Sequence, residues 1–261
     1  MMGVNHATSG AAAWIAATAA MPHVTTGYYP LDSVGVIAGS LVCAGAALLP
    51  DADHHNATIA HSVPIVGSLA AGAVGAATGG HRHGAHSVLA VAAVALASFA
   101  LGHVTMTTEN LGTFAIGPGI ATMALVCFAL KARDLVESWL TAWILGAIAG
   151  ALIVFFAPHQ LAWFPIAVTL GFAVHLAGDF LTTGGLPGLL WPWVPKPPEA
   201  LKTVPVLNRI WMANGYIAMP VLGNAGSVRE MLLGFVLALY CVYGLAHEAL
   251  RGFGVDLLSI L

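Results

Sequence analysis

Leu48-Leu49-Pro50-Asp51-Ala52-Asp53-His54-His55 closes an uncharged run that reaches back to Ser33. Two carboxylates and two imidazoles arrive together, directly behind a proline. Burying an unpaired carboxylate is costly, so an apolar helix that ends this way needs a neutralising partner. A divalent cation meets that need, because Asp oxygen and His nitrogen are ordinary ligands for zinc and manganese. Two other stretches repeat the chemistry. His81-Arg82-His83-Gly84-Ala85-His86-Ser87 opens one apolar run, and His175-Leu176-Ala177-Gly178-Asp179 closes another.

The surrounding composition sets the environment of these groups. The chain has 261 residues, 59% of them hydrophobic and 7% charged, where a soluble domain carries about 25% charged residues. With a mean hydropathy of +0.87, it reads as an integral membrane protein. Only 8 Lys and Arg are present and none cluster, which argues against a nucleic-acid partner. Histidine is the outlier at 12, nine of them within the first 103 residues. Cys43, Cys127 and Cys241 each lie inside an apolar run, far apart and odd in number. They read as small packing residues rather than a disulfide framework. No Lys or Arg precedes the first apolar stretch, which argues against a cleaved signal peptide.

Outward from the central stretch, hydropathy and turn residues divide the chain. Residues 6–21 read as a short apolar helix, ended by Pro22 and the Gly27-Tyr28-Tyr29-Pro30 turn. Residues 33–49 form a second helix, with Gly35, Gly39, Ala44 and Gly45 suited to close helix packing. Residues 56–80 hold His61, Pro64 and five glycines, and read as an interfacial or re-entrant connection. Helices follow at 87–106 and 113–130, the second with a bend expected at Gly117-Pro118-Gly119. Residues 138–178 contain no Asp, Glu, Lys or Arg. That exceeds one span of roughly 20 residues, and Pro158-His159 divides it into 138–157 and 161–180. Residues 181–226, with Trp191, Trp193 and Trp211, read as an interfacial loop rich in Pro and Gly. The final span is 228–248. The fold class expected is an all-α polytopic membrane bundle of about six to seven spans. It forms one domain over 1–261, with a motif-bearing core at 1–195.

Alternating the spans gives a test of the clusters. If His6 starts on one face and 56–80 does not cross, then Asp51–His55, His81–His86, and His175 with Asp179 all reach that face. The same face collects Arg82, Lys131, Arg133, Lys196, Lys202, Arg209 and Arg229, leaving Arg251 on the other. The excess of positive charge then puts the site on the cytoplasmic side.

Each cluster has a plain reading beside the metal reading. His175 and Asp179 are four apart, so a helix sets both on one face, one turn separated. They suit one metal ion equally well as a buried His–Asp hydrogen bond, although ionisable groups inside a span are functional candidates. Asp51 and Asp53 could form an acidic interfacial turn or a helix cap. The His81–His86 group could be a pH-sensitive polar turn facing headgroups. Arg82 could pair with a phosphate rather than a protein carboxylate, since its planar fork suits that geometry. Three such clusters on one face of a charge-poor chain favour a metal site. The absence of clustered thiolates argues against a structural zinc site and for one with open positions, as catalysis requires. His23, His61, His103, His159 and His247 have no such company and read as interfacial or packing residues.

Taken in order, these residues resemble the YdjM family of inner-membrane, metal-dependent hydrolases. The resemblance is carried by His6, by Leu48 to His54, by His81-Arg82 with His86-Ser87, and by His175-Leu-Ala-Gly-Asp179. Thr182, Gly185 and Leu190-Trp191-Pro192 complete it. The family usually reads His-Arg-Gly-x-Thr-His-Ser in the second motif. Here His83 replaces the glycine and Ala85 the threonine, which alters contacts around the ligands and makes His83 either an added ligand or a polar bystander. The family is distantly similar to the zinc-dependent phospholipase C and P1 nuclease group, which bind metals through His and Asp. That similarity implies phosphoester hydrolysis.

The expectation is therefore a bacterial inner-membrane hydrolase of a phosphoester in a lipid or lipid-linked substrate. One to three divalent ions, zinc first and manganese second, would be held by His6, Asp51, Asp53, His54, His81, His86, His175 and Asp179. Asp51 or Asp53 would bridge, and Arg82 would steady a phosphate oxygen. The alternatives are a divalent metal or proton transporter, or a metal-stabilised membrane protein without turnover.

Overall fold

The computed structural model describes residues 1–19, 29–54, 57–63, 66–110, 112–157, 160–187 and 191–255. Ten helices are present among them: α1 (Gly3–Thr18), α2 (Ser33–Ala46), α3 (Val66–Thr78), α4 (Val88–Gly102), α5 (Ile116–Ala132), α6 (Trp139–Phe156), α7 (Gln160–Phe180), α8 (Glu199–Lys202), α9 (Pro205–Ile210) and α10 (Val228–Gly252). Two small antiparallel pairs accompany them. β1 (Met106–Thr108) pairs with β2 (Gly112–Phe114), and β3 (Leu186–Pro187) with β4 (Tyr216–Ile217). The expected features at Pro22, His23, Gly27-Tyr28, His55, Pro64, Pro158-His159 and Leu190 lie outside the described residues.

Helix starts follow local capping chemistry. Asp32 accepts from the Gly35 N–H, Ser87 from Ala90, Ser138 from Thr141 and Ser227 from Glu230. Each satisfies a donor that the first helical turn leaves free. The Gly117-Pro118-Gly119 bend does not occur. These residues form the first turn of α5, where a missing N–H costs little. The helix expected over 87–106 stops at Gly102, and the chain turns back through β1 and β2.

Four stretches are long and apolar enough to cross a membrane: Ser33–Asp53, Trp139–Phe156, Leu161–Phe180 and Val228–Gly252. α4 and α5 are apolar but shorter, because the β1–β2 hairpin takes residues the sequence reading gave to helix.

α2 is the centre of the bundle. α1, α5, α7 and α10 all pack against it. The close approach depends on two glycines that face one backbone carbonyl. A Cβ on Gly10 of α1 would stand 2.6 Å from the Cys43 carbonyl oxygen, and a Cβ on Gly171 of α7 would overlap the same atom. Trp14, Val42, Cys43, Trp163 and Phe164 fill the core around that junction. Trp14 also donates its indole N–H to the Gly35 carbonyl at 3.2 Å.

The outer helices show the reverse pattern. Leu140 and Phe156 on α6 are 71% and 69% exposed, and Val242 on α10 is 68% exposed. Large apolar faces of this kind mark surfaces meant for an apolar environment. α3 packs against the turns Pro50–Asp53, Thr58–His61 and Gly84–His86. The connection between α2 and α4 therefore returns to the end of the bundle from which it left.

Candidate metal centre

Four segments distant in sequence converge at that end. The start of α1 brings His6, the turn after α2 brings Asp51 and Asp53, the turn before α4 brings His86, and the close of α7 brings His175 and Asp179. The glycine contacts explain the convergence. Gly10 and Gly171 each lie one helical turn from a candidate ligand, His6 and His175, so pressing both helices onto α2 aligns the two rings. They stack with centroids 3.6 Å apart and planes at 11°.

The potential ligand atoms are closely spaced. His175 Nε2 is 3.3 Å from His86 Nε2, 3.6 Å from Asp51 Oδ1 and 3.8 Å from Asp179 Oδ2. His86 Nε2 is 3.7 Å from Asp51 Oδ1 and 3.6 Å from Asp179 Oδ2. His6 Nε2 lies 3.3 Å from Asp179 Oδ1. Donors held at about 2.1 Å around a tetrahedral ion stand about 3.4 Å apart. Two sets meet the spacing that one ion requires: His6, His175 and Asp179, and Asp51, His86 and His175.

Ring orientation agrees with ligation. His175 Nδ1 is 2.7 Å from the Ala47 carbonyl oxygen, which can only accept. The neutral ring therefore carries its proton on Nδ1 and turns an Nε2 lone pair into the cluster, the arrangement that metal-binding histidines adopt. His6 Nδ1 is buried without a hydrogen-bond partner, and His6 Nε2, His86 Nδ1 and Asp179 Oδ2 are buried with ion-pair neighbours at 3.3 to 3.4 Å, on Asp179, Asp53 and Arg82, rather than formed hydrogen bonds. Orphaned polar atoms cost free energy unless an ion or other partner meets them. The donor set of imidazoles and carboxylates thus fits a divalent cation. The Met1 amino group forms an ion pair with Asp179, so a positive charge already stands beside that carboxylate.

His86 carries a second electrostatic signature. Burial works against its charged form, but Asp51 and Asp53 outweigh burial and push its pKa up to about 9.

The remaining expected site residues stand further out. Asp53 accepts from the Arg82 backbone N–H at 3.1 Å, holds His81 Nδ1 at 2.8 Å and faces His86 Nδ1 at 3.4 Å. His81 is 37% exposed on its side chain, and its ring lies 4.5 Å from that of His54. Both histidines line a cleft of about 270 Å³ together with Asp51, Thr58 and Arg82. Arg82, read from the sequence as able to pair with a phosphate rather than a protein carboxylate, is ion-paired with Asp179 at 3.3 Å. Its backbone is left-handed at φ 58°, and its carbonyl accepts from the Tyr216 hydroxyl at 3.0 Å. His83 donates to the His81 carbonyl at 2.9 Å, which explains a polar role for it without ligation.

Two contributors carried no clear sequence signal. The Ala47 carbonyl is a backbone group and has none. Glu230 on α10 is fully buried and accepts from the Met2 N–H, the Asn5 side-chain amide and the Gly226 N–H at 2.7, 2.7 and 2.9 Å. It fixes the chain immediately before His6. A carboxylate just inside the last apolar run was its only trace in the sequence.

A family model described as YdjM inner membrane protein matches residues 1–250. No curated protein and no solved structure matches the chain.

Proposed function

This chain belongs to the YdjM family of inner membrane proteins, and from that premise we propose that it is a membrane-bound, metal-dependent hydrolase of phosphoesters. The observation that carries the reading is the spacing of Asp51, His86, His175 and Asp179, at 3.3 to 3.8 Å for the measured pairs, beside a polar cleft. These four residues, with His6, would hold the ion, with zinc the first choice and manganese the second. A divalent ion there supplies Lewis-acid chemistry toward a phosphoester and lowers the pKa of a water molecule towards neutrality. Asp51 borders the cleft and would meet the substrate side of the ion. His54 and His81 line the cleft wall and would contact the substrate's polar group. Arg82 neutralises Asp179 and extends along the same cleft, where its guanidinium would also meet a phosphate oxygen.

The membrane arrangement extends the four apolar stretches to seven spans. α1, α4 and α5 cross as well, while α3 stays at the site end. Helix-end contacts support this alternation. The start of α10 meets Met2 and Asn5 through Glu230, and its end meets Ser33 through Glu248. The ligands then share one membrane face with most of the basic residues, which the positive-inside rule makes cytoplasmic. A site at the helix ends on one membrane face would suit a substrate within or beside the lipid headgroup layer. A transporter would need ligands near mid-span on interrupted helices, whereas these lie at helix ends.

Elemental analysis of the detergent-purified protein tests the reading, with Asp179→Ala alongside. The expected result is stoichiometric zinc or manganese, reduced in the variant, followed by hydrolysis in a phosphoester screen. A wild-type chain without stoichiometric metal, even after reloading, would overturn the hydrolytic mechanism.

A further inference from the structure

We propose that Asp53 is a positioning carboxylate behind the metal centre and not one of its ligands, and that His81, held by it, also lies outside the coordination sphere. The inference rests on the metal reading above and refines it.

Asp53 and Asp51 are two residues apart on one short turn, yet their carboxylates have different surroundings. Asp51 Oδ1 faces two imidazole nitrogens, on His86 and His175, and the residue borders the cleft. Asp53 turns away into protein, its side chain fully buried. Oδ1 meets His81 Nδ1 at 2.8 Å. Oδ2 accepts from the Arg82 backbone at 3.1 Å and faces His86 Nδ1 at 3.4 Å. Both oxygens are therefore directed at nitrogen donors. Neither group of residues spaced for an ion includes Asp53 or His81.

The two rings respond differently to the same carboxylate. In His86, Nδ1 faces Asp53, so Nε2 is turned toward Asp51, His175 and Asp179. A carboxylate behind the far nitrogen fixes ring orientation and raises the basicity of the ligating one. In His81, the same grip on Nδ1 keeps the ring at the edge of the cleft. The Arg82 N–H completes the grip and helps to stabilise the left-handed backbone there. One buried side chain thereby sets a ligand, a cleft residue and the backbone that carries the site's arginine.

Cobalt(II) reconstitution of the purified full-length chain tests this, because its visible spectrum reports the number and kind of ligands. Wild type, Asp51→Asn, Asp53→Asn and His81→Gln are titrated in parallel. Asp53→Asn should keep the wild-type stoichiometry and band shape while binding about 10- to 100-fold more weakly. His81→Gln should keep both stoichiometry and band shape. Asp51→Asn should lose an ion or change the spectrum. An ion lost or a band altered in Asp53→Asn would overturn the proposal, as would unchanged affinity. Should Asp53→Asn not fold, His81→Gln decides, and an altered spectrum there overturns it. Failure of the wild-type chain to bind cobalt would instead remove the metal reading itself, and the proposal with it.

Discussion

At the scale of single residues, His175 shows how this site is prepared. Its Nδ1 proton is committed to the Ala47 carbonyl, so a neutral ring has nothing but a lone pair to offer the cluster. His175→Ala and Asp51→Asn should each lose most bound metal while still inserting, read by metal content of membrane-extracted protein. Wild-type metal content in either variant would contradict these assignments. His86 adds a pH dependence. Its raised pKa stabilises the metal-free chain fully below the ordinary value of 6.5, and that stabilisation disappears as pH rises through about 9. An ion at Nε2 must displace that proton, so uptake between those values releases a proton and strengthens with rising pH. Calorimetry in two buffers of different ionisation heat should show the release at pH near 8; equal heats would argue against it. The clustered Asp and His residues were legible as candidate ligands in the sequence because they stand out in an apolar chain. Which carboxylate faces an ion and which faces a ring was not, since Asp51 and Asp53 differ only in where a short turn aims them.

Among the elements, the decisive contact is the junction of α1, α2 and α7. Gly10 and Gly171 press on one carbonyl of α2, so the sites of the two histidine rings depend on atoms a full turn away. Gly171→Val should destabilise the protein by roughly 1–3 kcal/mol or more through overpacking. It should also weaken metal binding without touching a ligand, measured by thermal unfolding in detergent and by metal titration. Glu230 makes a second such dependence. Glu230→Ala strands the buried Asn5 side-chain amide, costing about 1–3 kcal/mol, and removes the acceptor of the Met2 and Gly226 N–H groups, whose residues are exposed. A loss of about 1–3 kcal/mol is expected, with Glu230→Gln milder; equal stability of Glu230→Ala and wild type would show that the contact carries no load. The long helices could be read from hydropathy and from their caps at Asp32, Ser87, Ser138 and Ser227. The β1–β2 hairpin could not, because its strands are three residues each, too short for an alternating pattern to show, and their ends Met106 and Phe114 continue the flanking apolar runs. Glu230 escaped notice for a related reason: its partners lie at the other end of the chain.

Over the whole molecule, most buried ionisable side chains among the described residues gather at one end of the helices, with Glu248 and His247 buried towards the other, while apolar side chains face outward on α6 and α10. The proposed orientation predicts that a cysteine placed at exposed Thr203 reacts with an impermeant thiol reagent only from the cytoplasmic side. One at exposed Phe253 should react only from the other side. Cys43, Cys127 and Cys241 are buried, so the background is low, and labelling with the opposite sidedness would invert the topology. The clasp between Glu230 and Asn5 also has a meaning in time. It joins residues 225 positions apart. At about 5–20 residues per second, roughly 10 to 45 s of synthesis separate the appearance of His6 from that of its restraint. For that interval a nascent chain can possess every ligand through Asp179 and still lack the grip that sets His6 among them. On the proposed reading, maturation of a metal centre would wait for α10, so that translation itself sets a delay before any chemistry there could begin.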